Sequence, residues 1–542
     1  MTTPAATAEH EAAGSHPAPN RRTFAIISHP DAGKTTLTER LLLHGGAVRE
    51  AGEVKSRKSA RTAVSDWMAL EQQRGISVSS TVLAFDAEGI RFNLLDTPGH
   101  ADFSEDTYRT LWAADAAVMV LDAAKGLEPQ TRKLFAVARR RGLPILTFVN
   151  KMDRPALEPL GLLDAVAEEM SLVPVPLTWP VGDGQDFAGV IDRVRRELVR
   201  FDRTADTTQL STPERTPMAD DPPGWQRDLL AAARDDVELL DAEHGVPDPH
   251  EPVDRERFLA GSVTPVLFGS ALGNFGVAEL LEAVRTLVPP PRPQPTRAGG
   301  THPVNGGFVG QVFKVQANMN PRHRDRMAFV RVASGRFERG MSVTVARTGR
   351  RQQLKYAHQA FADDRETADE ALPGDIVGVI GAGELQVGDT LSPDGRAELA
   401  EIPTFAPERF VVVRNRSSST YKQFRTGLQQ LDEEGVVHVL RRPDHGEREP
   451  ILAGVGQLQF EVASHRLATE YGAEVTLEPG PWQIARRVDE DAARALRGQR
   501  GVAVAQDRNG QWLALFESQH ALRWAQEDHP AVTFAPLGIV AE

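Results

Sequence analysis

From Thr23 to about Val288 short apolar runs alternate with segments whose apolar residues recur at helical spacing. Phe24-Ala25-Ile26-Ile27 reads as a buried strand. Ala116 to Leu121, Ile145 to Val149 and Val266 to Phe268 have the length and apolar content of central parallel strands. Between them Leu37, Leu41 and Leu42, and later Leu162, Leu163, Val166 and Met170, repeat with a helical period. Val82 to Asp86 and Ile90 to Asp96 flank a turn at Ala87-Glu88-Gly89 and predict an antiparallel hairpin. Strands and helices alternating over this length predict a doubly wound α/β domain over residues 21–288.

The alternation breaks after Asp192. Pro-rich stretches at Thr212-Pro213 and Asp221-Pro222-Pro223, with an amphipathic helix near Leu229 to Leu240, predict an inserted subdomain over about 193–262. Val288-Pro289-Pro290-Pro291-Arg292-Pro293-Gln294-Pro295 predicts a stiff, extended linker across 289–300. Beyond it, β-type runs separated by Gly turns, among them Phe308 to Phe313 and Met327 to Val332, predict a small β-barrel over 301–400. Residues 401–542 mix both patterns, with a helical run from Tyr421 to Leu431 and a strand expected from Gly456 to Val462, and are read as an α+β domain. Residues 1–20, rich in Ala, Pro, Thr and His and without a hydrophobic segment, are expected to be a disordered tail and not a secretory signal.

The chain has 542 residues, which suits roughly three or four domains. No stretch approaches the roughly 18 consecutive apolar residues of a membrane span, so no membrane association is expected. The absence of cysteine excludes disulfides, thiolate metal sites and a thiol nucleophile, and fits a cytoplasmic location. The net charge of -13, from 62 Lys+Arg against 75 Asp+Glu, argues against wholesale coating of nucleic acid. Asp202 to Ala260 holds 15 acidic and 6 basic residues, so most of that charge sits in the insert.

Chemistry concentrates at the ends of the predicted strands. After Phe24 to Ile27 comes Ser28-His29-Pro30-Asp31-Ala32-Gly33-Lys34-Thr35-Thr36, a phosphate-binding loop opening a helix. Backbone N–H groups of Asp31 to Thr35 can wrap a β-phosphate at the helix N-terminus, and Gly33 lets the backbone approach it closely. Lys34 is expected to reach the β/γ oxygens, and the Thr35 hydroxyl to sit on Mg²⁺. Ser28 stands where such loops usually begin with Gly. Asp96-Thr97-Pro98-Gly99-His100 follows the hairpin; Asp96 can hold Mg²⁺ through water, the Gly99 N–H can sense a γ-phosphate, and His100 is expected beside the attacking water. Asn150-Lys151-Met152-Asp153 follows another strand, and the Asp153 carboxylate can accept both N–H donors of a guanine edge, which adenine does not offer. Ser270-Ala271-Leu272 reads as the loop that caps the guanine O6. In Arg74-Gly75-Ile76-Ser77, the Ser77 hydroxyl can complete the Mg²⁺ shell when a γ-phosphate is present, which makes the segment a switch. The ligands implied are GTP/GDP and Mg²⁺. The fold class is multidomain α/β + β: a P-loop GTPase domain with an inserted subdomain, a β-barrel domain and a C-terminal α+β domain.

Arg74-Gly75-Ile76-Ser77 followed by Asp96-Thr97-Pro98-Gly99-His100 resembles the translational GTPases. Within them, Ile27 to Thr36, Ser65-Asp66-Trp67-Met68, Phe103 to Thr110 and Gly269 to Gly276 resemble the bacterial family of peptide chain release factor three, the class II release factors. The likeness continues in Gln316-Ala317-Asn318-Met319, His323-Arg324-Asp325-Arg326, Pro373-Gly374-Asp375-Ile376, Gly388-Asp389-Thr390, Glu433-Glu434-Gly435 and Gly456-Gln457-Leu458-Gln459-Phe460. It runs from about Arg21 to beyond Gln526, and Ser28-His29-Pro30 is the form this family carries. The resemblance implies a monomeric, cytoplasmic GTPase that binds the ribosome after peptide release and promotes departure of class I release factors. Ribosome contact then stimulates hydrolysis, with His100 at the matching catalytic position.

A translocase or a ribosome-protection factor resembles this chain at the front but needs further C-terminal domains. An aminoacyl-tRNA carrier has two barrels after the nucleotide domain. From other classes, a GTPase subunit coupled to sulfate activation lacks ribosome stimulation, and Asn150 to Asp153 disfavours an adenine-using P-loop kinase.

Overall fold

The computed structural model describes residues 17–47, 79–202, 212–317, 326–360, 365–381, 384–404, 406–443 and 449–537. In chain order, the first domain contains β1 (Arg21–Ser28), α1 (Lys34–His44), β2 (Thr81–Ala87), β3 (Ile90–Asp96), α2 (Ser104–Trp112), β4 (Ala116–Asp122) and α3 (Pro129–Arg140). It continues with β5 (Ile145–Asn150), α4 (Pro159–Met170), β6 (Val173–Pro176), β7 (Thr178–Val181), β8 (Gly189–Asp192), β9 (Glu197–Arg200) and β10 (Glu214–Pro217). It closes with α5 (Arg227–His244), α6 (Arg255–Leu259), β11 (Val263–Phe268) and α7 (Val277–Leu287).

Seven strands form the main sheet in the order β2-β3-β1-β4-β5-β11-β6, and only β2 runs antiparallel to its neighbour. Phe24, Ala25, Ile26 and Ile27 are fully buried, because a parallel sheet is covered on both faces. Leu37, Leu41, Leu280 and Val284 from α1 and α7 pack on one face, and Leu111, Leu134 and Ala138 from α2 and α3 on the other. Parallel register sets Ile26 beside Asp96, Ser28 beside Val120, Asp122 beside Asn150 and Val149 beside Phe268. The carboxyl ends of β3, β1, β4, β5 and β11 are therefore level, along the edge where open α/β sheets bind ligands.

Strands β7 to β10 make a separate four-stranded antiparallel sheet, against which α5 packs Val237 and Leu240. This sheet begins at Thr178, ahead of the start expected near 193. Thr178 to Val181 is buried throughout, so its pattern resembles a main-sheet strand. Within the segment read as a tail, Ala18 is fully buried and the Asn20 carbonyl accepts from the Arg91 N–H at 2.9 Å. Residues 17–20 thus extend the edge of the first domain. The proline-rich segment is docked along the domain surface, with Arg292 Nη2 donating to the carbonyls of Asp115 and Gly142 at 3.1 and 3.2 Å.

The barrel comprises β12 (Val309–Ala317), β13 (Arg326–Ser334), β14 (Ser342–Val345), β15 (Arg351–Gln353), β16 (Tyr356–Ala360), β17 (Arg365–Thr367), β18 (Ile376–Ile380) and β19 (Thr390–Ser392). These eight strands form one antiparallel sheet around Val312, Val330, Val343, Leu354 and Leu391. Arg331 Nη2 pairs with Asp115 Oδ2 at 2.7 Å, both buried, and locks the barrel to the first domain.

The remainder divides into two packed units. In the first, β20 (Arg409–Asn415), β21 (His438–Leu440), β22 (Ile451–Gly454) and β23 (Val475–Pro479) carry α8 (Tyr421–Glu434) and α9 (Gln457–Thr469). The second builds its sheet from Ile484–Arg487, Val502–Gln506, Trp512–Phe516 and Ala535–Pro536. The strand expected from Gly456 to Val462 is a helix. Leu458, Phe460 and Val462 alternate like a strand, but Phe460, Ala463 and Leu467 continue one helical face into the core.

Candidate functional site

The loop from β1 to α1 turns through two residues with positive φ, Asp31 at 63° and Gly33 at 93°. Gly33 precedes α1 with no side-chain cap, so the helix's first N–H groups remain available toward the sheet edge. A Cβ at Gly33 would collide with the Asn150 side-chain amide, so only glycine fits where the loop passes the end of β5. Lys34 is buried, with Nζ 3.3 Å from Oδ1 of the equally buried Asp96 at the end of β3. Two hydroxyls fix the segment after β3: Thr97 donates to the Ile26 carbonyl at 2.6 Å and Thr107 to the Pro98 carbonyl at 3.2 Å. Gly99 then lies against Pro30, leaving only 3.3 Å between an added Cβ and the Pro30 Cα. His100 follows, partly exposed, with Nδ1 accepting from the Asp102 backbone N–H at 3.2 Å.

Asn150 joins two loops. Its Nδ2 donates to the Ala32 carbonyl at 2.8 Å, and its Oδ1 accepts from the Ala271 N–H at 2.8 Å. Lys151 Nζ lies 2.8 Å from Asp122 Oδ2 and also reaches the Asp31 carbonyl. Burial opposes the Asp122 charge, but the hydrogen bonds from Lys151 and the Ala124 N–H outweigh it and hold the carboxyl below its ordinary range. Met152 is buried and donates its N–H to the Gly269 carbonyl at 3.1 Å, while Ser270 Oγ donates to Asp153 Oδ1 at 2.5 Å. Arg40 on α1 fixes the last loop by donating to the carbonyls of Ala271 and Leu272 at 3.1 and 3.2 Å.

These loops enclose a cavity of about 410 Å³. Ser28, His29, Pro30, Asp31, Gly33, Lys34, Thr35, Thr36, Gly99, His100, Asn150, Lys151, Asp153, Ala271 and Leu272 line it. Ala32, Asp96, Thr97, Pro98, Met152 and Ser270 are buried behind that lining. Ser77 lies outside the described residues, with the rest of Arg74-Gly75-Ile76-Ser77. Sequence reasoning passed over Arg154, which also lines the cavity, and the supports Asp122, Arg40 and Glu128, whose Oε2 pairs with His29 Nδ1 at 2.9 Å. Asp122 ends a strand level with Asn150, and that position was its one available signal.

Residues 19–290 match the family described as Elongation factor Tu GTP binding domain, and residues 307–394 match Elongation factor G domain 2. Residues 399–526 match Class II release factor RF3, C-terminal domain. A protein named Peptide chain release factor 3 from Microcystis aeruginosa is 48% identical over 96% of this chain and 95% of its own length. The protein of the same name from Symbiobacterium thermophilum is 47% identical over 95% of this chain and 97% of its own. The chain belongs to the peptide chain release factor 3 family. Membership makes it a GTPase of translation termination, with guanine nucleotide bound by the first domain. A crystal structure of a Thermus thermophilus protein superposes with a TM-score of 0.68 at 25% identity, over 91% of this chain and 73% of that one. The three matches follow one another along the chain as the α/β domain, the barrel and the C-terminal domain do. No helix among the described residues is long and apolar enough to cross a membrane.

Proposed function

We propose that GTP is bound and cleaved in this cavity, that the ribosome stimulates cleavage, and that the cycle drives class I release factors off the ribosome after peptide release. One observation carries the reading: loops ending β1, β3, β5 and β11 converge on a single cavity, placing Lys34, His100 and Asp153 on its wall. The N–H groups that open α1 and the Lys34 ammonium hold the phosphates. Asp153, oriented by Ser270 and flanked by Ala271 and Leu272, reads the guanine. Asn150 and Lys151 act through the loops they brace.

The hydroxyl of Thr35 and the carboxylate of Asp96 are hard oxygen donors adjoining Lys34, the donor type that Mg²⁺ takes, and Ser77 is proposed as a third. When bound, Mg²⁺ would neutralise charge on the β and γ oxygens. His100 orients the attacking water, a positioning effect without covalent chemistry. The factor works as a monomer in the cytoplasm.

Single-turnover cleavage of bound GTP, with and without ribosomes, tests this in wild type and His100→Ala. Ribosomes are expected to accelerate wild type strongly, and His100→Ala to lose about a hundredfold of the stimulated rate. An unchanged rate on adding ribosomes overturns the ribosome-dependent reading. Full stimulated activity in His100→Ala overturns only the role of that residue.

A further inference from the structure

The turn that carries His100 is anchored outside the GTPase domain. Ala101–Phe103 forms one 3₁₀ turn between His100 and α2. Within it, the Asp102 N–H donates to His100 Nδ1, and Asp102 Oδ1 lies 3.4 Å from the same nitrogen. The second carboxylate oxygen, Asp102 Oδ2, accepts from the Leu458 N–H at 2.7 Å. Leu458 belongs to the first turn of α9, whose preceding residue Gly456 has no side chain with which to cap it. A carboxylate from another domain therefore fills the capping role at this helix N-terminus, where its charge is favoured.

Gly456 has an ordinary extended backbone, φ -142° and ψ 169°, so no left-handed conformation calls for glycine there. Space does, because an added Cβ would overlap the Asp102 carboxylate. Phe103, the next residue of the turn, packs on Val462 of the same helix. On α2, Glu105 Oε2 lies 3.0 Å from His438 Nε2, and Arg109 Nη1 donates to the Glu434 carbonyl at 3.2 Å. Asp102, Phe103, Glu105 and Arg109 are thus held by the C-terminal domain.

We propose that Asp102 is a positioning residue that couples the His100 imidazole to α9: while Asp102 caps α9 it holds His100, and withdrawal of α9 frees the imidazole to reach the water. This rests on the assignment of His100 as the water-orienting group. The capped arrangement restrains hydrolysis, and a ribosome that shifts the C-terminal domain relieves the restraint.

Gly456→Ala opens the contact from the far side, leaving every nucleotide-lining residue in place. Single-turnover GTP cleavage without ribosomes is expected to rise about tenfold, the factor one net hydrogen bond is worth. The affinity for a fluorescent GTP analogue is expected not to fall below the wild-type value. Asp102→Ala, which removes the acceptor from the near side, is expected to give the same rise. The double variant with His100→Ala is expected to lose it. Misfolding or general loosening would lower affinity and rate together, so a faster cleavage step without loss of affinity separates positioning from structural damage. If Gly456→Ala and Asp102→Ala both cleave at the wild-type rate, the coupling is overturned while His100 stands on its ribosome-stimulated test. If His100→Ala alone keeps full stimulated activity, the assignment and the coupling fall together.

Discussion

Replacing Glu105 by Gln keeps its shape and removes the charge that ties α2 to the C-terminal domain. Burial alone would raise the Glu105 pKa, since its side chain is only 3% exposed, but Arg109 and His438 more than reverse this and hold it at about 2. Relative to an ordinary 4.5, that preference for the charged form is worth about 3 kcal/mol. The folded pKa lies below the unfolded one, so this stabilisation is complete above 4.5 and fades as pH falls toward 2. His438 behaves in the opposite sense. The Glu105 charge raises it above 6.5 despite burial, so its contribution is complete below 6.5 and is lost as pH rises through the folded value. The contact is therefore strongest between pH 4.5 and 6.5. At pH 6 the Glu105→Gln variant should lose about 3 kcal/mol, because the Arg109 guanidinium stays buried beside a neutral amide. In scanning calorimetry this appears as a fall of about 6–12 °C in the transition that includes α2. The deficit should shrink at pH 8, and the His438 imidazole should titrate lower in the variant by NMR. A loss below about 1 kcal/mol at pH 6, with the wild-type pH dependence retained, would refute the reasoning.

Asp153→Asn keeps an acceptor but removes the charge proposed to meet two guanine donors; affinity for GTP should fall about 10- to 100-fold in fluorescent-nucleotide titrations, with xanthosine triphosphate gaining. Gly33→Ala forces a Cβ into φ 93° and against Asn150, so it should cost about 1–3 kcal/mol and abolish tight nucleotide binding by calorimetry. Arg331→Leu leaves Asp115 buried without its guanidinium partner; urea denaturation should show about 3–5 kcal/mol of destabilisation, and small-angle scattering a larger radius as the barrel separates.

The candidate site was legible because each motif ends a strand, and a parallel sheet brings strand ends together whatever their separation in sequence. Ser28 and Asn150 lie far apart along the chain, yet β1 and β5 both pair with β4. The supports were harder to read. Arg40 sits on α1 among leucines like any helix arginine, and its role exists only because β11 ends beside it. Glu105 and His438, 333 positions apart, leave no local pattern at all. The fold was clearest where one periodicity dominated, as in β4 and β5. At Gly456 to Val462 two periods coincided over a few residues, and only the later Ala463 and Leu467 decide for a helix. Thr178 to Asp192 looked like part of the main sheet because its strands are just as buried.

The residues just after Ser77 and the turn just after His100 are held by different neighbouring domains. Lys314 of the barrel, itself buried, reaches Ser79 Oγ at 2.6 Å and Ser80 Oγ at 3.0 Å, just beyond Ser77 in the sequence. Asp106 on α2 completes this grip, lying 3.7 Å from Lys314 Nζ and accepting the Ser80 N–H at 2.5 Å. On the other side, Asp102 and Glu105 fasten the turn after His100 to α9 and His438. Any movement of Ser79–Ser80 or of the Gly99–His100 turn therefore acts against contacts made by the barrel and the C-terminal domain. Linkage makes the relation reciprocal: a partner that displaces either domain must change the affinity for GTP relative to GDP by the factor with which GTP changes the affinity for that partner. One such hydrogen bond is worth up to about tenfold, so a few acting together suffice to make nucleotide state and domain position a single equilibrium.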